Sequence, residues 1–222
     1  MKSTHVPELA GLVQTLGAEE LPHLKGMGRR ARKAAETRLK LFRCALQLFA
    51  ERGFPNVTVE DITEAADVGK GTFFNYFKSK DHVLSVMAEI QLGKVREALE
   101  AAESGKWSIR SVLRDLFTKV SEEPGRSPEL ARAVLTAFLS STIRDLLAQN
   151  MADGRRMAGR ILELGQERGE IDPKLKTEQM ALHLQQSFLG TMLLWSLRGE
   201  QKLQTAVEVS FQHYWRAIAA RN

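Results

Sequence analysis

The stretch that decides the fold is "TVEDITEAADVGKGTFFNYFKSK", Thr58 to Lys80. Two short helical patterns follow each other here, with only a few residues between them. Thr58 caps the first helix, and Asp61 three residues later completes a capping box with Asp in place of the usual Glu or Gln. The second pattern begins near Lys70 and carries polar and aromatic side chains where a buried helix would have apolar ones. Two helices joined by so short a turn predict a helix-turn-helix.

The side chains of the second short helix suit contact with a nucleic acid. In a helix-turn-helix the second helix places its N-terminal side chains in the major groove of DNA. Lys70, Lys78 and Lys80 can neutralise phosphates, and the glycines at 69 and 71 let the backbone approach a phosphate closely. Thr72 and Asn75 can contact base edges. Tyr76 can reach the DNA backbone, Phe77 is expected to anchor the helix on the core, and Phe73 could do either.

The charge of the chain is concentrated around this stretch. The 222 residues carry a net charge of +5, and residues 25–80 alone contain twelve Lys or Arg against six Asp or Glu. The excess of positive charge therefore lies in one quarter of the chain, which favours a polyanion as the partner of that part. A solvated basic helix end remains the alternative reading.

Residues 41–84, "LFRCALQLFAERGFPNVTVEDITEAADVGKGTFFNYFKSKDHVL", resemble the DNA-binding domain of the TetR family of transcriptional regulators. The resemblance implies a homodimer of about nine helices per chain, in which the first three helices bind DNA. It further implies that the later helices hold a ligand pocket and the dimer interface. The DNA contacts carried over are Thr58, Lys70, Gly71, Thr72, Phe73, Asn75, Tyr76 and Lys80. The positions that match the family pattern are Leu41, Phe42, Ala45, Leu48, Phe49, Glu51, Gly53, Phe54, Thr58, Asp61, Ile62, Ala66, Val68, Lys70, Gly71, Thr72, Tyr76, Phe77, Ser79, Lys80 and Leu84.

Three departures from the family pattern concern the turn and the second helix. Asp67 stands where the family usually has a turn glycine, and Gly69 stands where it usually has a serine. The missing serine predicts the loss of a helix cap and of a hydrogen bond to phosphate. Phe74 replaces the usual tyrosine, which predicts the loss of another phosphate contact.

Helical periodicity covers the rest of the chain, and no segment alternates with the period of a strand. The sequence therefore predicts an all-α fold of about nine helices. We expect a loosely attached arm over residues 1–28, a helix-turn-helix domain over 29–80 and a ligand-binding and dimerisation domain over 81–222. Predicted helices of the last part include residues 130–151, a further helix from about Asp153 to Gly169, and two final helices over about 175–197 and 201–220.

Apolar residues of the later helices predict a pocket and an interface between two copies. Small-molecule sites are mostly apolar with few polar groups. Candidates for the pocket are Met87, Trp107, Phe117, Phe138, Met157, Phe188 and Met192, with Ser140, Ser141, Thr142 and Gln185 as polar contacts, although ordinary core packing is the alternative for each residue. "QQSFLGTMLLWSL" is apolar on almost every side, which favours burial of two faces. Candidates for the homodimer interface are Ser187, Gly190, Thr191, Leu194, Phe211, Tyr214, Trp215 and Ile218.

The sequence favours a regulator over an enzyme. Its five histidines show no metal-binding spacing, "GKGT" lacks the remaining residues of a phosphate-binding loop, and no cofactor motif occurs. No apolar run is long enough to cross a membrane. Cys44 alone forms no internal disulfide, which agrees with the cytoplasm. We expect a repressor that binds a near-palindromic DNA operator and is released by an apolar inducer. The alternatives are a helical DNA-binding protein without sequence preference, and an all-α interaction module or enzyme.

Overall fold

The computed structural model describes residues 28–138 and 143–220. Residues 1–27 of the predicted arm over residues 1–28, and the predicted polar contacts at 140–142, lie outside the described residues. The described residues form nine α-helices and two single 3₁₀ turns. The α-helices are α1 (Arg29–Arg52), α2 (Val59–Ala65), α3 (Lys70–Tyr76), α4 (Asp81–Glu103), α5 (Ile109–Ser121), α6 (Pro128–Ala137), α7 (Arg144–Glu167), α8 (Thr177–Arg198) and α9 (Leu203–Ile218).

Helices α1 to α3 form a small unit whose ends are set by local chemistry. Gly53 ends α1 with φ 77°, a left-handed conformation that costs a residue without Cβ little. Thr58 then caps α2: its Oγ1 accepts a hydrogen bond from Asp61 N at 3.1 Å, and Thr58 N donates to Asp61 Oδ2 at 2.7 Å. The predicted capping box is confirmed.

Helices α4 to α9 pack as a bundle. The segments that follow the C-terminal ends of α7 and α9 contact each other at one end of this bundle. Serine side chains cap α5 and α6, as expected for residues that accept from a backbone N–H at N3. A short antiparallel bridge joins Ile171 to Ala219, next to a carboxylate of Glu170 that accepts from Ile109 N at 2.9 Å. Gly165 permits this closure, since a Cβ there would lie 2.5 Å from Ile171 Cδ1.

Two hydrophobic cores lie side by side and share helices. One core joins α1, α2 and α3 to the first half of α4 and to α6, and the other is built from the remainder of the bundle. Helix α4 contributes to both, because Val83 and Ile90 pack into the first core whereas Ala98 and Ala102 pack into the second. The first three helices therefore rest on α4 and α6 through continuous apolar packing.

The all-α prediction and the number of helices are confirmed for the described residues, but one predicted helix boundary is wrong. Helix α6 ends at Ala137 and α7 begins at Arg144, and α7 then continues without interruption through Gly154. The sequence predicts one helix over residues 130–151 and a break between Met151 and Asp153, where the structure has none. A glycine inside a helix costs only about 1 kcal/mol relative to alanine, so a single glycine does not end a helix that packs well. The proposed division at residue 80 stays a prediction.

Candidate DNA-binding surface and ligand cavity

The turn between α2 and α3 adopts a conformation that usually needs glycine. Asp67 has φ 50°, and it is the one non-glycine residue with positive φ among residues 28–138 and 143–220. Val68 N then donates to Thr63 O at 3.0 Å, which closes the turn against α2. Asp tolerates the left-handed region better than most residues, because its short polar side chain can interact locally. The departure from the family glycine is thus accommodated at a modest cost in strain.

Helix α3 is anchored by two phenylalanines on its inner face. Phe73 and Phe77 are fully buried, and their ring centroids lie 5.4 Å apart. The predicted placement of Phe73 in the groove is therefore wrong, since its side chain is covered by the protein's own core. The adjacent Phe74 is 49% exposed and points away from that core. Anchoring by Phe77 was predicted and is confirmed.

The outer face of α3 presents the polar side chains that the sequence singled out. Lys70, Gly71 and Asn75 are exposed, and Thr72 and Tyr76 are half-buried at the edge of this face. Lys70 forms an ion pair with Glu60 of α2, and this hydrogen bond holds the pKa of the Glu60 carboxyl below its usual value. Both side chains are solvated, so the pair is weak and a phosphate can replace Glu60 as the partner of Lys70.

The start of α3 lacks a side-chain cap. Gly69 occupies the N-cap position with no side-chain hydrogen bond, and nothing lies within 4 Å of the place where a Cβ would stand. The loss of a side-chain cap, which the missing serine predicted, is therefore confirmed, and the open space at Gly69 leaves room for an anion to approach the backbone.

Lys80 differs from its predicted role. Its ammonium donates to Phe54 O at 2.8 Å and to Val57 O at 2.9 Å, and it lies 4.4 Å from the centroid of the Phe54 ring. Two of its three donors thus tie the start of α4 to the loop after α1. Lys80 acts inside the unit as a brace, and the prediction of a free phosphate contact is corrected.

A cavity of about 190 Å³ lies between the two cores. Helices α4, α7 and α8 supply most of its wall, and α5 and α6 supply the rest. Five of the seven predicted pocket residues line it, namely Met87, Phe117, Phe138, Phe188 and Met192. Cavities of this size can hold a small apolar molecule, as an engineered cavity of about 150 Å³ does.

The two remaining pocket candidates lie elsewhere. Trp107 sits in the loop between α4 and α5 with 63% of its surface exposed, and Met157 of α7 is not part of the cavity wall. Helical spacing places an aromatic or methionine on a face, but it does not say which side of a helix meets a cavity. Both predictions are therefore corrected.

Polar groups are few in the cavity wall and include three that the sequence reading missed. Gln185 was predicted and lines the cavity, together with Gln91, Asn150 and Arg155. The sequence signal for these was weak, because each stands among other polar residues on an amphipathic helix. Gln91 Oε1 and Asn150 Nδ2 are buried atoms that have no hydrogen-bond partner among the described residues.

The predicted dimer residues divide between the inside and the outside of the chain. Phe211, Tyr214, Trp215 and Ile218 of α9 are buried in the chain's own core, and Tyr214 Oη donates to Met180 O at 2.9 Å. These four were wrongly predicted as interface, because their stripe faces α5 and α8 instead. On α8, Leu194 is 65% exposed and Leu197 68%. The remaining candidates, Ser187, Gly190 and Thr191, are half-buried beside them.

Over the described ranges no three His, Cys, Asp or Glu side chains are grouped closely enough to hold a metal ion. None of the helices in those ranges combines the length and apolar content that a membrane crossing needs.

A helix-turn-helix with an open polar face, joined to a helical bundle with a cavity, is the architecture of a DNA-binding regulator. The sequence pattern of the bacterial regulatory proteins of the tetR family matches residues 41–87. The HTH-type transcriptional regulator TcmR of Streptomyces glaucescens is 30% identical over 151 residues, which cover 66% of this chain and 66% of that protein. This chain thus spans just under two thirds of that relative's length.

Solved structures share the fold over most of the chain. The regulatory protein TetR from Rhodobacter sphaeroides superimposes with a TM-score of 0.64 at 21% identity, covering 82% of this chain and 98% of that one. FadR of Thermus thermophilus, a TetR family repressor solved with lauroyl-CoA, gives a TM-score of 0.60 at 25% identity, covering 83% and 96%. The tetR-family pattern thus covers residues 41–87, and most of the chain shares the fold of solved TetR-family regulators.

Proposed function

We propose that this protein is a transcriptional repressor that binds a near-palindromic DNA operator as a homodimer and is released by a small apolar molecule. The observation that carries the proposal is the outer face of α3, where Lys70, Thr72 and Asn75 stand on a helix whose inner face is locked by buried phenylalanines. A rigid helix with solvated cationic and amide groups suits the major groove, because its backbone need not be reordered on binding.

The residues of α3 would take different parts in DNA binding. Lys70, Tyr76 and the open N-terminus of α3 would contact phosphates, and the backbone at Thr58 would face another phosphate. Such contacts position the protein without reading sequence. Thr72 and Asn75 would contact base edges, where a good contact is worth about 1–3 kcal/mol of discrimination.

Helix α4 offers a physical route from the cavity to the DNA-binding surface. Leu84 and Met87 pack in the core beneath the first three helices and also line the cavity. A molecule that enters the cavity therefore contacts side chains that support α3. An inducer acts if it binds better to a conformation whose recognition helices no longer fit the operator. The lauroyl-CoA bound by the FadR relative supports a ligand with an apolar part.

The exposed leucines of α8 support association of two copies. Leu193, Leu194 and Leu197 form an apolar strip on the outer side of α8. Symmetric dimers are the most frequent oligomers, and a two-fold axis through this strip would pair two α3 helices. Two recognition helices about 34–36 Å apart would fit successive turns of the major groove.

Binding to duplex DNA measured over a range of salt concentrations tests this proposal. The DNA would be the promoter next to the protein's own gene, compared with a random duplex of equal length. A regulator should prefer the promoter and lose affinity steeply as salt rises. Equal affinity for both duplexes would support the alternative of a helical DNA-binding protein without sequence preference. Absence of salt-dependent binding would reject both.

A further inference from the structure

We propose that the ligand of the cavity is an apolar carboxylic acid in its ionised form, whose carboxylate is held by Arg155. This inference rests on the proposed function only in naming the ligand of the same cavity. The cavity wall is apolar apart from three amides and Arg155, and Arg155 is its one charged residue among those described. An apolar chamber with a single cationic corner favours a ligand with an apolar body and one anionic end.

Arg155 differs from every other arginine of α7 in its partners. Arg156 pairs with Asp153 at 2.6 Å, Arg160 pairs with Glu163 and Glu167, and Arg144 lies near Asp145. Arg155 forms no ion pair with any carboxylate in residues 28–138 and 143–220, and its Nη1 donates instead to an amide oxygen, Gln185 Oε1, at 3.3 Å. Helix α7 thus neutralises its solvent-facing arginines locally and leaves uncompensated the one that faces the cavity.

The side chain of Gln185 holds the guanidinium in place. Gln185 Nε2 donates to Met151 O at 3.1 Å, which fixes the amide so that its oxygen faces Arg155. Four further N–H donors of the guanidinium remain for other partners, in the planar fork that matches the two oxygens of a carboxylate. A half-buried guanidinium without a counter-ion is costly, and a bound carboxylate would remove that cost.

Two more polar atoms of the cavity wall agree with this reading. Asn150 Nδ2 is a buried donor without an acceptor, and Gln91 Oε1 is a buried acceptor without a donor. A carboxylate can accept from Asn150, and half a turn of the Gln91 amide exchanges its oxygen for a second NH₂ donor. Buried groups of this kind normally have partners, so their presence in one cavity points to a polar end of a ligand.

The proposal can be tested by varying the polar end of a ligand while its apolar body stays constant. Octanoate, 1-octanol and octylamine form one series, and 4-phenylbutyrate with 4-phenylbutanol forms a second. Binding to the full chain without DNA would be measured by calorimetry below micelle-forming concentrations. At least one carboxylate should bind about tenfold or more tightly than its alcohol, the scale of one charge-assisted hydrogen bond, and octylamine should bind most weakly.

Variants of two adjacent arginines distinguish recognition of the carboxylate by Arg155 from a general effect of the protein's net charge. Arg155→Gln should weaken carboxylate binding by about 10- to 100-fold and leave alcohol binding unchanged. Arg155→Lys should keep part of the affinity, because it retains the charge but loses the fork. The matched control Arg156→Gln, on the solvent side of the same helix, should change neither.

Three results would overturn the proposal. These are carboxylates that bind no better than their alcohols, absence of binding in both series, or an unchanged preference in both Arg155 variants. The comparison of ligands uses the parent protein, so it remains decisive if a variant does not fold. Carboxylate binding together with absence of operator binding would reject the repressor function and leave the cavity assignment intact. Operator binding together with absence of carboxylate binding would do the reverse.

Discussion

The outer face of α3 and the cavity wall use the same kinds of side chain in opposite settings. On α3, a lysine and an amide stand in solvent above a core of phenylalanine rings. In the cavity, an arginine and three amides stand inside an otherwise apolar chamber. The surface groups cost nothing while DNA is absent, because water solvates them. The cavity groups are partly removed from water, so each one without a partner lowers stability until a ligand arrives.

The difference bears on how the two regions recognise their partners. A solvated face can bind a polyanion through many weak contacts whose strength depends on salt. An apolar chamber with one charged corner gains most of its selectivity from a few contacts that water would otherwise weaken. DNA binding is therefore expected to persist when a single side-chain contact is removed. Ligand binding in the cavity is expected to depend on Arg155.

The largest expected effect is on stability, and it tests the hydrophobic core beneath the outer face of α3. Phe73→Ala removes a fully buried ring and should lower the free energy of unfolding by about 3–5 kcal/mol. Urea denaturation followed by circular dichroism measures this change. The adjacent Phe74→Ala serves as the control, since Phe74 is exposed and should change stability by only about 0.5 kcal/mol. Similar losses for both variants would contradict the assigned inner and outer faces of α3.

The next effect concerns the charge on the outer face. Lys70→Gln should reduce the slope of log K against log salt concentration by about 0.9 for each subunit, because one phosphate contact is lost. Fluorescence anisotropy with labelled operator at several salt concentrations measures the slope. Lys106→Gln makes the same change of charge in the exposed loop after α4 and should leave the slope unaltered. A slope that is the same for both variants would remove Lys70 from the interface.

A smaller effect concerns the pH dependence of stability, which tests the partly buried carboxyl of Glu89 beneath the first three helices. Burial raises the pKa of the Glu89 carboxyl on α4, and the positive charge of Arg38 on α1 partly offsets this. A raised pKa in the folded state favours the protonated form. The stability that Glu89 contributes is therefore present below its ordinary pKa of 4.5 and lost as pH rises through the raised value.

Glu89→Gln should remove this dependence. The free energy of unfolding of the parent minus that of the variant should fall as pH rises from about 4.5 towards 7. Urea titrations at several pH values measure this difference. Glu100→Gln, at an exposed position of the same helix, is the control and should give a flat difference. A flat difference for Glu89→Gln would mean that this carboxyl is as well solvated as one on the surface.

The smallest expected effect comes from a substitution that supplies the missing N-cap side chain of α3. Gly69→Ser places a hydroxyl at the N-cap, where the space for a side chain is open. Stability should rise by about 0.2–0.5 kcal/mol, because serine is only slightly better than glycine at this position. The thermal midpoint measures the gain, and Gly69→Ala, which lacks the hydroxyl, is the control. An equal midpoint for the two variants would show that the hydroxyl does not cap α3.

Much of the fold could be predicted because its signals are local. The periodicity of apolar residues predicts the nine helices, and the capping box of Thr58 and Asp61 fixes the start of α2. The tight turn and the polar face of α3 depend on residues within about twenty positions of each other. The family resemblance therefore carried over the helix-turn-helix itself, whereas the roles it implied for Phe73 and Lys80 were corrected.

The sequence by itself thus determined the class of fold, the helix-turn-helix and the polar face of α3, because these depend on neighbouring residues. Tertiary packing alone decided that Phe73 faces inward, that Lys80 braces a loop and that the aromatic stripe of α9 belongs to the chain's own core. It also decided that Arg155, rather than Arg156, faces the cavity. The physical reason is that burial and pairing depend on which helices meet, and those helices are far apart in sequence.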